Sequence, residues 1–285
     1  MLDFDEGNLD TVVGRKCSSI ATIVRENAFP LRTWGESRPL SNMEVLGIDI
    51  GSRTIKAGVV ETASGALISE LELISTPKPA SKGNIVDALQ KTMECFDWAG
   101  PVGVGFPGVV QHSVVKTAPN LHPSVIGLDL EGTVLDLGAF EVSALNEADA
   151  AGIGEVRMGS GRNQLETILL INIETGLGSA LFHKGRLVPN MEFGHFEFRG
   201  VDAEALLSEI ARIKHNKPWM EWANDLNGYL NTLAALLSTD LIILGGEGVL
   251  ERQNFEHFLA LPCKLKFAKF GKEAGVVGAA LSVDF

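Results

Sequence analysis

The sequence predicts an α/β protein built as two similar lobes around a cleft. Three observations predict it. Segments 45–50 and 55–61 read as a buried strand, a glycine turn and a second strand, and segments 166–173, 178–183 and 185–188 repeat that opening after Gly161. Both groups of strands are followed by segments with helical spacing, the pattern of strands covered by helices. The length, 285 residues, suits two domains or one large one.

Residues 1–42 are mixed in charge, and only Ile20, Ile23 and Val24 hint at a short amphipathic helix. They are expected to form a peripheral or flexible N-terminal extension. Met43 to Gly51 then opens the α/β part, with a first lobe expected over 43–146 and a second over 147–285. The first lobe takes strands at 45–50, 55–61, 67–74, 102–106, 110–115 and 140–145, and a helix at 83–97. A helix over 147–157 follows. The second set of strands has Lys184-Gly185 at a hairpin. Helices are expected over 202–213 and 217–238. The latter carries Trp219, Trp222, Leu226, Leu230, Leu233 and Leu237 at helical spacing, a stripe for the core or for an interface between copies. A strand at 240–244 ends in Gly245-Gly246, and a helix over 274–283 closes the chain.

Lysine and arginine total 24 against 36 aspartates and glutamates, a net charge of −12. That balance excludes nucleic-acid binding through bulk charge. Cys17, Cys95 and Cys263 are too few and too scattered for a disulfide framework or a zinc knuckle. No apolar run approaches the ~18–20 residues of a membrane span. Asp3, Asp5, Glu6 and Asp10 are unlike a signal or transit peptide. A cytoplasmic protein is the expectation.

Several short segments carry chemistry. Asp49-Ile50-Gly51-Ser52-Arg53-Thr54-Ile55-Lys56 sets an acid at a strand end before a small-residue turn, a hydroxyl and a lysine. Backbone N–H groups of such a turn cup a phosphate, and the acid can orient a metal-bound water; the same pattern also occurs in purely structural hairpins. Gly103 to Gly108 lets backbone approach a ligand, or simply turns the chain. Asn146-Glu147 ends a strand and starts a helix, so Asn146 is a helix cap, a cleft residue, or both. Glu174-Thr175-Gly176-Leu177-Gly178 is a second turn between strands. Glu192 and His195 lie three apart near a hairpin, a spacing that can grip vicinal hydroxyls.

Taken in order, GIDIGSRTIKAG, VGVGFPGVV, TAPNL, ALNEADAAGIGE, ETGLGSALFHKGRLVPNMEFGHFE, KPWMEWANDLNGYL, DLIILGGEG and AGVVGAAL resemble the ROK family of sugar kinases and repressors. The likeness is closest to its polyphosphate glucokinase branch and covers about residues 44–285. The resemblance implies the actin-like (ribonuclease H-like) two-lobed ATPase and sugar kinase fold, with the active site between the lobes. It implies phosphoryl transfer to a hexose 6-hydroxyl, glucose or a similar sugar, from ATP or polyphosphate with Mg²⁺. It also implies a homodimer; the acidic balance and the lack of a long apolar run argue against nucleic-acid and membrane partners.

Carried over residue by residue, the resemblance places Asp49, Gly51, Ser52, Thr54 and Lys56 in the first phosphate motif, with Asp49 contacting a hydrated Mg²⁺. Thr175, Gly176 and Gly178 fall in the second phosphate motif. Asn146, Glu192, His195, Glu204 and Gly108 fall on the sugar side, and Gly245 and Gly246 on the nucleotide-side turn. Many family members carry a zinc-binding cysteine cluster after the position of His195; none follows here, so no structural zinc is expected. Residues 1–42 are too short for the winged helix-turn-helix of the family's repressors.

Three positions depart from the family pattern. Glu147 stands where the family has its catalytic aspartate; a carboxylate remains, displaced by one methylene, and ~1 Å of misplacement can cost ~10²-fold in rate. Glu174 and Glu247 stand where the family has glycines, putting carboxylates beside the donor's path. A unit charge ~5 Å from a phosphate charge costs about 3 kcal/mol at an effective dielectric of ~20. These departures leave a second reading open, a catalytically impaired relative that binds sugar. A third, an activator ATPase of radical dehydratases, shares the Asp49–Lys56 opening but needs a cysteine pattern the chain lacks.

Overall fold

The computed structural model describes residues 43–285. The predicted extension, with Cys17, lies outside the described residues.

Two sheets organise the described chain. The first contains β1 (Glu44–Ile50), β2 (Thr54–Glu61), β3 (Ala66–Leu67), β4 (Glu72–Ser75), β5 (Val102–Phe106) and β8 (Val142–Asn146), in the order β3-β2-β1-β5-β8 with β4 also on β2. Between β5 and β8 runs a small hairpin, β6 (Val110–Gln111) and β7 (Val114–Val115). The second sheet contains β9 (Thr167–Ile173), β10 (Leu177–His183), β11 (Arg186–Val188), β14 (Leu241–Gly245) and β15 (Lys264–Phe267), ordered β11-β10-β9-β14-β15. A two-stranded ribbon, β12 (Glu197–Phe198) and β13 (Val201–Asp202), lies apart. In both sheets the leading strand pairs antiparallel with the next strand and parallel with a later one: β1 with β2 and β5, and β9 with β10 and β14. The repeated opening in the sequence is therefore a repeated topology.

Among the described residues seven helices accompany these sheets: α1 (Lys82–Cys95), α2 (Leu130–Asp136), α3 (Glu147–Met158), α4 (Ala203–Leu207), α5 (Glu209–Lys214), α6 (Trp219–Leu237) and α7 (Ala274–Ser282). One core joins α1 and α2 to the first sheet. A second joins α6 to the second sheet, where Trp222, Leu226, Leu230 and Leu233 are buried, so the tryptophan–leucine stripe is core. A third core gathers Val45 and Val60, Leu170 and Phe182, Ile153 of α3, and Val276 and Val277 of α7. Residues of both sheets thus share this core with α3 and α7. A Cβ at Gly103 would stand 1.8 Å from Ala279 O, and one at Gly278 would stand 1.6 Å from Ala150 O. Glycine at those two points lets α7 lie directly on β5 and on α3. All of Ala274–Ser282 is buried, which accounts for a helix that is apolar on every side.

The structure corrects three predicted elements. Segment 67–74 is not one strand but β3 and β4, because Ser69 Oγ takes the Val59 N–H at 2.9 Å and interrupts the ladder. Segment 110–115 is the β6–β7 hairpin, turned by His112 and Ser113 at φ 50° and 67°. Segment 202–213 is two helices, because Ser208 is extended and caps α5 through Ala211 N–H. Helix α2 and strand β15 were not predicted. α2 is only 7 residues long and contains Gly132, Thr133 and Val134, which are weak helix formers.

Candidate active site

The parallel strands set the site, because their carboxyl ends point the same way and leave a crevice beyond them. Asp49 stands near the end of β1, Phe106-Pro107-Gly108 at the end of β5 and Asn146 at the end of β8. Glu174 follows β9, and Gly245-Gly246-Glu247 follow β14. One cleft receives residues from all of these segments.

Asn146 is the N-cap of α3. Its Oδ1 accepts from Ala148 and Asp149 N–H at 2.7 and 3.2 Å. Its Nδ2 donates to Gly108 O at 3.1 Å and to Glu192 Oε1 at 3.0 Å. The cap thereby fixes Glu147 at the first turn of α3, in the cleft, and ties Gly108 and Glu192 to the same point. Asp49 Oδ1 and Glu147 Cα both border Gly105, 3.4 and 3.5 Å from where a Cβ would stand, so the two acids flank the same point of β5.

The site is acidic at its centre. Asp49 is buried, and burial pushes its carboxyl up while Lys56, 3.5 Å from Oδ2, pulls it down; the net direction is up. Burial pushes Glu147 well above the usual carboxylate range, and the charges of Asp49 and Glu174 add to that. Glu174 is raised by burial, with Lys56 opposing. Burial disfavours the Lys56 ammonium, yet Asp49, Glu174, Glu147 and Glu247 together hold its pKa above the ordinary value. Asp49 Oδ1 is buried without a hydrogen-bond partner.

Glu192 and His195 line the other part of the cleft. Their segment is stitched in place by neighbours: Asn190 N–H donates to Asp149 Oδ2 at 2.7 Å, Asn190 exchanges two side-chain bonds with Val110 at 3.0 Å each, and Phe193 N–H donates to Ser179 Oγ at 2.9 Å. Asp149 is pushed up to about 7, chiefly by burial, and its Oδ1 has no partner. Glu204 Oε2 accepts from Leu177 N–H at 3.0 Å, so this carboxylate reaches the Thr175–Gly178 turn.

The ROK family profile matches residues 45–206, more than half of the chain. The chain belongs to the ROK family. It is 36% identical over 237 residues to the polyphosphate glucokinase of Mycobacterium tuberculosis strain H37Rv, an alignment covering 83% of this chain and 89% of that protein. The inorganic polyphosphate/ATP-glucomannokinase of Arthrobacter sp. strain KM superposes with a TM-score of 0.81 at 36% identity, covering 85% of this chain and 98% of that one. The ROK glucokinase of Streptomyces griseus, solved with glucose and AMPPNP, gives 0.71 at 24% identity over 84% and 98% of the chains, a likeness of fold. The two sheets and their helices are the actin-like fold of ROK sugar kinases.

Within this ROK cleft lie Asp49, Gly51, Ser52, Thr54 and Lys56, the turn residues Thr175, Gly176 and Gly178, and Gly108, Asn146, Glu147, Glu192, His195 and Glu204. Gly245 and Gly246 do not line it; Glu247 does. Gly246, at φ 84°, packs where a Cβ would stand 2.5 Å from Ile173 O, so this turn supports the Glu174 turn from behind. Asn172, Gly271 and Lys272 also line the cleft but stand in none of the motifs read from the sequence. Asn172 was hidden in an apolar strand, and Lys272 lies just ahead of α7 with no motif of its own. Asp149 and Asn190, the stitches behind Glu192, carried no functional signal beyond their place in quoted motifs. Among the described residues no group of three or more His, Cys, Asp or Glu side chains is arranged to hold a metal. No described helix is long and apolar enough to cross a membrane.

Proposed function

We propose that this chain is a ROK hexokinase that transfers a phosphoryl group from polyphosphate or ATP to the 6-hydroxyl of glucose or a similar hexose. Membership of the family and 36% identity to a polyphosphate glucokinase support the reading. The observation that carries it is the position of Glu147, a desolvated carboxylate held by the Asn146 cap beside Asp49 and in the same cleft as Glu192 and His195. Asn146, Glu192, His195, Glu204 and the Gly108 backbone hold the sugar. Gly51, Ser52, Thr54 and Lys56, with Thr175, Gly176 and Gly178, hold the donor phosphates. Glu147 accepts the proton of the 6-hydroxyl as its oxygen bonds to the terminal phosphorus and the bond to the leaving phosphate breaks. Such transfers depend mainly on positioning and charge stabilisation, which the turn N–H groups and Lys56 provide. Gly245 and Gly246 shape the nucleotide side.

A hydrated Mg²⁺ fits the donor side. Asp49 lines the cleft and is a hard oxygen donor whose buried Oδ1 has no hydrogen-bond partner, and Glu147 and Glu174 add negative charge nearby. Asp49 would hold the ion through its water shell, as Mg²⁺ prefers. When bound, the ion neutralises charge developing on the transferred group.

The test is a donor-by-sugar matrix on the full chain, pairing polyphosphate and ATP with glucose and mannose and measuring sugar 6-phosphate. Turnover of glucose with one donor or both is expected. Glucose binding without turnover from either donor would make the chain a sugar-binding protein instead, the reading that Glu147, Glu174 and Glu247 left open.

A further inference from the structure

His195 and Glu204 approach the cleft from different elements, yet one side chain touches both. His195 Nδ1 lies 3.0 Å from Asp202 Oδ2. The other carboxylate oxygen, Asp202 Oδ1, accepts the Glu204 N–H at 2.9 Å and is the N-cap of α4. Glu204 in turn accepts the Leu177 N–H at 3.0 Å. A Cβ at Gly176 would stand 2.6 Å from Glu204 Oε2, so the carboxylate lies flat against that turn. A continuous path of hydrogen bonds therefore runs from the His195 ring, through Asp202 and Glu204, to the backbone of the Thr175–Gly178 turn.

We infer that Asp202 is a positioning residue for the sugar side of the cleft, fixing the ring orientation of His195 and the placement of Glu204 with its two oxygens. The inference rests on the proposal that His195 and Glu204 meet the sugar. Chemistry sets the consequence. A carboxylate only accepts, so Nδ1 must carry the proton. Nε2 has no protein partner among the described residues and is left for the cleft. In the neutral ring Nε2 is then an acceptor, which suits a sugar hydroxyl as donor; in the protonated ring it is a donor. The groups facing His195 are acids: Asp202, Glu204 and Glu192. Burial lowers the pKa of the ring, the Asp202 hydrogen bond raises it, and the net direction is up. The pair is half-exposed, at 42% and 44%, so its attraction alone is weak in water. Its role is orientation, and a sugar that displaces water from the cleft strengthens it.

Two variants test this. Asp202→Ser keeps an N-cap for α4 but is too short to reach the ring, and Asp202→Asn keeps the length and removes the charge. The ring is read by nitrogen NMR at pH 9, assigned by loss of its signals in His195→Gln, and its pKa by titration. Wild type is expected to show the Nδ1–H tautomer and a raised pKa. In Asp202→Ser the tautomer preference is lost and the pKa falls. The glucose KM rises about tenfold, the effect of one lost hydrogen bond, while kcat falls by less. The pH at which the glucose KM changes moves down with the pKa of the ring. An unchanged tautomer and pKa in both variants would overturn the role of Asp202 while leaving the kinase reading intact. A changed ring with glucose KM unmoved, in both variants and in His195→Gln, would instead overturn the placement of His195 on the sugar, and the inference with it.

Discussion

On the proposed reading, Glu147 is the residue that takes the proton. Burial and the charges of Asp49 and Glu174 raise its pKa well above the usual carboxylate range, so it holds a proton more strongly than a surface glutamate. A base of raised pKa is better matched to neutral pH. It works only when ionised, so activity is expected to fall as pH drops through that raised value and to level off above it. Glu147→Gln should reduce kcat by about 10²–10⁴-fold, the range for loss of a general base, and abolish the acidic limb of the kcat/KM profile. A pH–rate series on both proteins checks this. Unaltered activity in Glu147→Gln would remove Glu147 as base. Glu147→Asp shortens the side chain by one methylene, and a rate above wild type would show that the longer side chain holds the enzyme back.

At the scale of the element, α3 does more than cover a sheet. Its cap residue reaches Gly108 and Glu192, and its third residue, Asp149, receives the Asn190 N–H behind the Glu192–His195 segment. Asp149 has a pKa of about 7 in the fold against 3.8 as a free side chain. The folded state thus binds an extra proton between those values, and the stabilising proton is lost as pH rises through about 7. Stability should therefore decline between pH 4 and pH 7 on this account. Asp149→Asn should flatten that decline, as measured by urea midpoints at pH 5 and pH 8; an identical pH slope in the variant would refute it. The turn after β14 offers a second measurement. Gly246 has φ 84° and no room for a Cβ against Ile173 O. Gly246→Ala should cost more than about 1 kcal/mol of stability and lower activity through the Glu174 turn it supports. Thermal unfolding compared with the donor KM checks both effects.

The net charge of −12 gains a location in the whole molecule. Asp49, Glu147, Glu174 and Glu247 converge on Lys56 from β1, α3, the turn after β9 and the turn after β14. Only the meeting of the two sheets' strand ends assembles that cluster. A polyanionic donor entering it, as proposed, would need cations to offset the repulsion, the part given to Mg²⁺; the raised carboxylate pKa values come first from burial, with like charges adding to it for Glu147 and Glu174. Glu174→Gln removes one of those charges. It should lower the donor KM roughly three- to tenfold, less than an unscreened charge would give because solvent screens part of it, and leave the glucose KM unchanged. A donor KM that rises in Glu174→Gln would show that Glu174 assists the donor instead of repelling it.

The sequence by itself determined most of the longer elements, the repeated strand–turn–strand opening, the family and about half of the residues that line the cleft. It could do so because strand and helix periods and glycine turns are local, and because each motif is contiguous. It was less informative where a side chain overrides the local period, as at Ser69 and Ser208, and where a turn rests on two left-handed residues, as at His112 and Ser113. Only the tertiary structure decided that Glu204 lies on the Leu177 turn, that Asp202 serves both His195 and Glu204, and that Gly245 and Gly246 stand behind the cleft instead of in it. Each of these depends on contacts between residues far apart in the chain or on which side of a turn faces the ligand. Composition and spacing do not encode such relations; packing does.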